Sequence, residues 1–259
     1  MELFDTHCHL DFSAFDNDRE NLLQTCAING VNKIVIPGVS HQNWDDVLQL
    51  CSGHSSLYPA LGMHPCFTEK HHLSDIDTLE RLLSTNQNIV AIGEAGLDFY
   101  EKTADRQRQL DILIPQLNLA QRLIKPVLLH VRKAHADMLL ILKKHSVPGG
   151  IIHAFNGSLE QAQEYIELGF KLGFGGTLTF PGANRIHRLA RELPLESIVL
   201  ETDSPDMAGA RHKGQRNSPE YLPEYLQALS DLRQQPILEV AEQVYKNSLR
   251  IFNLESNDH

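Results

Sequence analysis

Histidines and carboxylates recur at short apolar motifs along the 259-residue chain: His7 and His9 in DTHCHL, His64 in GMHP, Glu94 in AIGEAG, His130 in LLHVRK, His153 in IIHAFN, and Glu201 and Asp203 in LETDSP. Imidazole nitrogens and carboxylate oxygens are the donor set for divalent ions, and such ions drive hydrolysis by polarising a substrate and activating a water. Taken singly, each residue has an ordinary explanation. His130 or His153 could be a hydrogen-bonded core histidine, Glu94 could cap the turn that follows it, and Asp203 could open an Asx turn at TDSP. Taken together, burying His7, His9, Glu94, His130, His153 and Asp203 in one place without a cation would cost several kcal/mol.

Whether they meet depends on the elements that carry them. ELFDTH, KIVIPG, LYPALG, IVAIGE, PVLLH, GGIIHAF, FKLGFGG and SIVLETD are near-continuous apolar runs, the pattern of parallel strands covered on both faces. Amphipathic segments at 18–29, 43–52, 105–124, 134–145 and 158–168 separate them. Eight β-α units in about 250 residues is the size of a (β/α)₈ barrel. An open doubly wound sheet would need a glycine-rich phosphate loop after its first strand, and none is present. The expected architecture is therefore an α/β protein, a (β/α)₈ TIM barrel forming a single domain over 1–259. The tail from about Ser218 reads as two helices that close the barrel, and the last residues, ESNDH, read as frayed.

In this fold the C-terminal strand ends build the site, which gathers the candidate residues from distant parts of the chain. Strand alternation turns His7 and His9 into the barrel mouth together and Cys8 outward to the helix layer. A zinc site using Cys8 would require a break in the strand there. Glu201 shares the face of Asp203 and reads either as a residue orienting a histidine ligand or as a carboxylate paired to a barrel cation. His64 is a candidate donor to substrate. Arg132 follows His130 by two but falls where a helix is expected to begin, so it carries no assignment. Phe12, Phe67, Phe99 and Tyr100 fall on rim loops, as lids or as stacking platforms for bases. Trp44 reads as a helix-packing residue.

Twenty-three Lys and Arg against 33 Asp and Glu give a formal charge of −10, so a nucleic-acid contact would need a local basic patch. Arg211, Lys213 and Arg216 in RHKGQR supply one just past Asp203, where a phosphate backbone could be held. Four cysteines without C-x-x-C spacing suit a reducing compartment, and the cytoplasm is the expected location. No apolar run approaches the roughly 18 residues of a membrane span and no leader pattern opens the chain, so no membrane association is expected. No obligate protein partner is evident.

FDTHCHLDF, GMHP, AIGEAGLDFY, LLHVRKA, HAFNGS and LETDSPDM, followed by RHKGQRNSP, resemble the ordered motifs of the TatD-related metal-dependent hydrolases and DNases, within the amidohydrolase superfamily. The resemblance runs from Phe4 to about Pro219 and rests on the order and spacing of six motifs. It implies two divalent metal ions per chain: His7, His9 and Asp203 holding one, His130 and His153 the other, and Glu94 bridging. Zinc as isolated, with magnesium or manganese in activity, is the expected loading. Glu94 and Asp203 are the expected catalytic carboxylates, Asp203 doubling as proton acceptor for a metal-activated water. Where relatives often carry an aromatic and a proline, ETDSPDMAGA has Asp206 and small residues, and this bears on substrate choice.

The implied activity is a deoxyribonuclease, removing nucleotides from single-stranded DNA ends by phosphodiester hydrolysis. The alternative keeps the metals and changes the substrate to a small amide, lactone or phosphoester. A third reading, a binding protein with structural metals, sits poorly with an oxygen- and nitrogen-rich donor set, since structural sites are usually rich in sulfur.

Overall fold

The computed structural model describes residues 1–101 and 103–255; of the ESNDH tail, residues 256–259 lie outside the described residues. Eight parallel strands follow one another around a single sheet in chain order: β1 (Leu3–Asp5), β2 (Val31–Gly38), β3 (Leu57–Leu61), β4 (Ala91–Asp98), β5 (Val127–Arg132), β6 (Gly150–Ile152), β7 (Phe170–Phe174) and β8 (Ile198–Leu200). Helices cross over between them: α1 (Arg19–Ile28), α2 (Trp44–Gly53), α3 (Asp75–Thr85), α4 (Arg106–Leu123), α5 (His135–Leu142), α6 (Leu159–Glu167) and α7 (Asn184–Glu192). After β8 come α8 (Leu222–Arg233) and α9 (Ile237–Ile251), the two tail helices expected from the sequence. The molecule is a (β/α)₈ barrel of one domain.

The apolar strand runs fill two cores, as burial on both faces requires. Val35, Ala60, Leu128, Ile151 and Val199 point into the barrel with Phe4, and Phe252, just past α9, packs with them. Their strand neighbours, among them Ile34, Ile36, Leu129, Ile152 and Leu200, face the helix layer. Trp44 is buried there, donating from Nε1 to the Gly62 carbonyl at 3.0 Å.

Strands 1, 6 and 8 are shorter than their apolar runs, and β5 is longer. The strand continues through Arg132, so no helix begins there and Arg132 shares the inward face of His130. At the first strand, regular pairing ends at Asp5 and the alternation resets. Phe4 faces the barrel interior, yet Cys8 is fully buried in the outer core and His7 and His9 face the mouth. An unbroken strand from Phe4 would have turned both histidines outward.

The first and eighth strands meet through a few specific bonds. Thr6 N donates to Leu200 O at 3.0 Å, Asp203 N to His7 O at 2.8 Å, and His9 N to Ser204 O at 2.8 Å. The buried Asp5 carboxylate accepts from Thr202 N at 2.9 Å and Thr202 Oγ1 at 2.6 Å. This seam holds the N-terminal histidines against Asp203. Among the described residues no helix is long and apolar enough to cross a membrane.

Candidate metal centre

Glu94 is the hub. The β4–β5 register shifts between Ile92 and Ala95, with Ile92, Ala95 and Leu97 all on the outer face. That irregularity lets Glu94 point inward where strict alternation from Ile92 would have turned it out. Two glycines make room for it, since a Cβ on Gly62 would stand 2.6 Å from the Cα of Gly93.

Around this carboxylate the structure gathers all six candidate ligands. His7 Nε2 and His9 Nε2 lie 3.3 and 3.5 Å from Glu94 Oε2. His130 Nδ1 and His153 Nε2 lie 3.3 and 3.8 Å from Oε1. Asp203, in a left-handed conformation at φ 58° that Asp tolerates better than most residues, brings Oδ1 to 3.6 and 3.7 Å from His7 and His9 and Oδ2 to 3.9 Å from His153. The two carboxylate oxygens of Glu94 therefore face different histidine pairs.

The donor chemistry fits divalent ions. His7 Nε2 and His9 Nε2 are 3.2 Å apart and aim at the same oxygen, while the Nδ1 atom of each is buried with no hydrogen-bond partner. Two imidazoles converging edge to edge on one carboxylate oxygen are the arrangement a shared Lewis acid makes favourable. His7, His9 and Glu94 form one set of donor atoms within 4.8 Å of each other, and Glu94, His130 and His153 form another.

Burial and charge set the protonation. Although burial resists it, the imidazoles of His64 and His7 and a hydrogen bond from His130 hold the Glu94 carboxyl well below the usual range. Burial pushes Asp203 up to about 6 despite the neighbouring His153 and His9. His7 is held well below the ordinary imidazole value by burial and by His153. His153 rises to about 10, because Glu201 and Asp203 outweigh the burial that opposes its charge.

His64 stands beside this cluster, Nε2 3.2 Å from Glu94 Oε1. Its Nδ1 accepts from Cys66 N at 3.1 Å, so the neutral ring carries its proton on Nε2 and donates from there. Burial lowers its pKa and favours that neutral form. Glu201 is buried behind His153, its Oε1 3.2 Å from His153 Nδ1 and accepting from Ala154 N at 2.5 Å.

The cluster opens into a cavity of about 650 Å³ lined by Phe12, Phe67, Arg132, Arg185, Asp206 and Met207 as well as the ligands. Phe12 stacks on the His9 ring at 4.7 Å, and Arg132 lies 3.6 Å over the exposed ring of Tyr100. Phe99 is buried, with the Arg106 guanidinium over its ring.

The loop cations expected to hold phosphate are placed elsewhere. Arg216 forms a bidentate pair with Asp18 at 2.6 and 2.9 Å and covers Phe15, Arg211 pairs with Glu224 at 3.3 Å, and Lys213 is exposed outside the cavity lining. Acidic neighbours just before α1 and on α8 capture the two arginines, which the loop sequence alone could not reveal. Among the described residues, the arginines that line the cavity are Arg132 and Arg185 instead.

Two neighbours of the cluster escaped the sequence reading. Asp98 Oδ2 accepts from His130 Nε2 at 2.9 Å, and Arg185 enters from the start of α7. A signal for Asp98 existed: it follows Glu94 by four in the same strand run and so shares its face. Arg185 had none, because its approach depends on how α7 packs.

The family model described as TatD related DNase matches residues 4–253. The metal-dependent hydrolase YjjV of Escherichia coli K12 is 40% identical over 252 residues, 96% of this chain and 97% of that protein. Its crystal structure superposes with a TM-score of 0.94, covering 98% of both chains. The metal-dependent hydrolase YabD of Bacillus subtilis 168 is 30% identical over 97% of this chain and 99% of its own length. A TatD family hydrolase from Entamoeba histolytica, 20% identical and covering 98% of this chain and 99% of its own, shares the fold at a TM-score of 0.85. With its barrel, its histidine and carboxylate hub and a family match over nearly its whole length, the chain belongs to the TatD-related DNase family of metal-dependent hydrolases.

Proposed function

We propose that the chain is a divalent-metal phosphodiesterase that shortens single-stranded DNA from an end. The observation that carries this reading is the pairing of the Glu94 cluster with a cavity that presents Arg132 and Arg185 for phosphate and Phe12 and Phe67 for bases. A concave site of about 650 Å³ suits a thin, unpaired strand better than a duplex. The family's DNase description supports the same substrate.

His7, His9 and Asp203 would hold one ion and His130 and His153 a second, with Glu94 between them. Divalent ions bound there would polarise a phosphoryl oxygen and lower the pKa of water toward about 7. The remaining work belongs to side chains. Asp203, whose two oxygens reach both histidine pairs at the cavity floor, is placed to accept a proton from the attacking water. His64 Nε2–H donates to a nonbridging oxygen, and Arg132 and Arg185 neutralise phosphate charge. Phe12, fixed by stacking on His9, is a platform for the terminal base.

The test is digestion of an end-labelled single-stranded oligonucleotide by metal-loaded protein beside Asp203→Asn. Stepwise shortening by the parent, reduced about 10² to 10⁴-fold in the variant, is expected. A parent that binds its metals and leaves the strand intact overturns the nuclease reading. A hydrolase of a small phosphoester, amide or lactone is then favoured, a reading that draws on the placement of Arg211, Lys213 and Arg216 outside the cavity and on the −10 charge.

A further inference from the structure

The two sides of Glu94 are supported differently. On the Oε2 side, His7 and His9 have unpartnered Nδ1 atoms, and Asp203 Oδ1 stands 3.6 and 3.7 Å from their Nε2 atoms as a further direct donor. On the Oε1 side each histidine turns its far nitrogen to a carboxylate outside the six. His130 offers Nδ1 and gives Nε2 to Asp98 at 2.9 Å. His153 does the reverse, offering Nε2 and facing Glu201 with Nδ1 at 3.2 Å, a close charge contact rather than an aligned hydrogen bond.

Both outer carboxylates are themselves held in place. Asp98 Oδ1 accepts from Tyr100 N at 2.9 Å and Oδ2 from Cys66 Sγ at 3.4 Å, while Gln109 grips the Asp98 backbone at both N and O at 2.8 Å. Arg132 Nη1 is 3.9 Å from Oδ2. Glu201 has its seat only because residue 173 is glycine, since a Cβ there would lie 2.3 Å from Glu201 Oε2.

We infer that Asp98 and Glu201 are positioning residues dedicated to one of two metal positions, the one at His130 and His153. This rests on the two-metal reading above. A carboxylate on the far nitrogen fixes the tautomer and ring orientation and makes the near nitrogen a stronger donor. Beyond the shared Glu94, the His130 and His153 position meets a direct carboxylate through His153 alone, whose Nε2 lies 3.9 Å from Asp203 Oδ2, so this indirect charge supplements it. The His7 and His9 position has Asp203 and needs no such support.

Titration of metal-stripped protein with Cd²⁺, followed by equilibrium dialysis and ¹¹³Cd NMR, tests the inference without any substrate. The parent is expected to bind two ions with two resonances. Asp98→Asn and Glu201→Gln should each weaken one and the same ion by about 10 to 100-fold and shift its resonance, leaving the other in place. Asp98→Ala should weaken it further than Asp98→Asn, which keeps an acceptor. If Asp98→Asn does not fold, Glu201→Gln reports on the same ion from a different strand. Two ions bound equally well by parent and variants, or both ions weakened together, overturn the assignment of Asp98 and Glu201 alone. A parent that binds a single ion overturns the two-metal reading and this inference with it.

Discussion

His64 shows how a single hydrogen bond can decide a residue's chemistry. Its distance to Glu94 is that of the candidate ligands, yet the Cys66 amide occupies its Nδ1 and keeps a proton on Nε2. A ring in that tautomer is a donor. His64→Ala is therefore expected to lower kcat by about 10²-fold with the metal content unchanged, measured by metal analysis beside turnover. A matching loss of one ion would make His64 a ligand instead. Arg132 and Arg185 separate in the same way from the loop cations. Arg132→Met and Arg185→Met should each raise KM for a single strand about 10-fold, an interaction worth about 1.4 kcal/mol, whereas Arg211→Met should leave it unchanged.

The elements hold these side chains through close backbone approach. Gly96 in β4 has φ 148°, and a Cβ there would fall 1.9 Å from the His130 carbonyl of β5, which cannot yield without moving a ligand. Gly96→Ala should cost about 3 kcal/mol, read as a fall in Tm of about 6 to 12 °C, while Gly182→Ala, with open space around it, should be silent.

At the start of α5, the buried His135 accepts from Tyr165 Oη at Nδ1 (3.2 Å) and donates from Nε2 to Asn156 Oδ1 (3.3 Å), joining α5, α6 and the loop after β6. Burial lowers its pKa from the ordinary 6.5. The unfolded chain thus takes up a proton first as pH falls, so stability present above about 6.5 is lost on acidification toward pH 5. His135→Gln should flatten that loss by up to about 1.4 kcal/mol per pH unit, measured as urea unfolding free energy across the range.

For the molecule as a whole, bound cations offset carboxylates gathered in the barrel mouth, so metal and fold are linked. Chelation should abolish turnover and lower stability by about 2.7 kcal/mol per ion normally held at a hundred times its Kd, with both restored by added divalent metal. Calorimetry before and after chelation checks this. With Arg132 and Arg185 the only arginines in the cavity lining among the described residues, single-strand binding should weaken with salt at a log–log slope of about −1.4. A slope near zero would favour a small neutral substrate, and a much steeper one would bring Arg211 and Lys213 back into the contact.

The barrel and the strand ends at which its six donors stand are legible in the sequence. Apolar runs at regular intervals admit few parallel arrangements, and in this one every strand end opens on the same face. Helix packing and local irregularity were beyond its reach. The reset after Asp5 and the shift before Ala95 reverse which side chains face inward, and no periodicity announces either. Asp18 and Glu224 reach across from other helices to take Arg216 and Arg211, while α7 delivers Arg185. Ion pairs between distant segments depend on where helices dock, and docking is set by side-chain packing in three dimensions that no local stretch of sequence encodes.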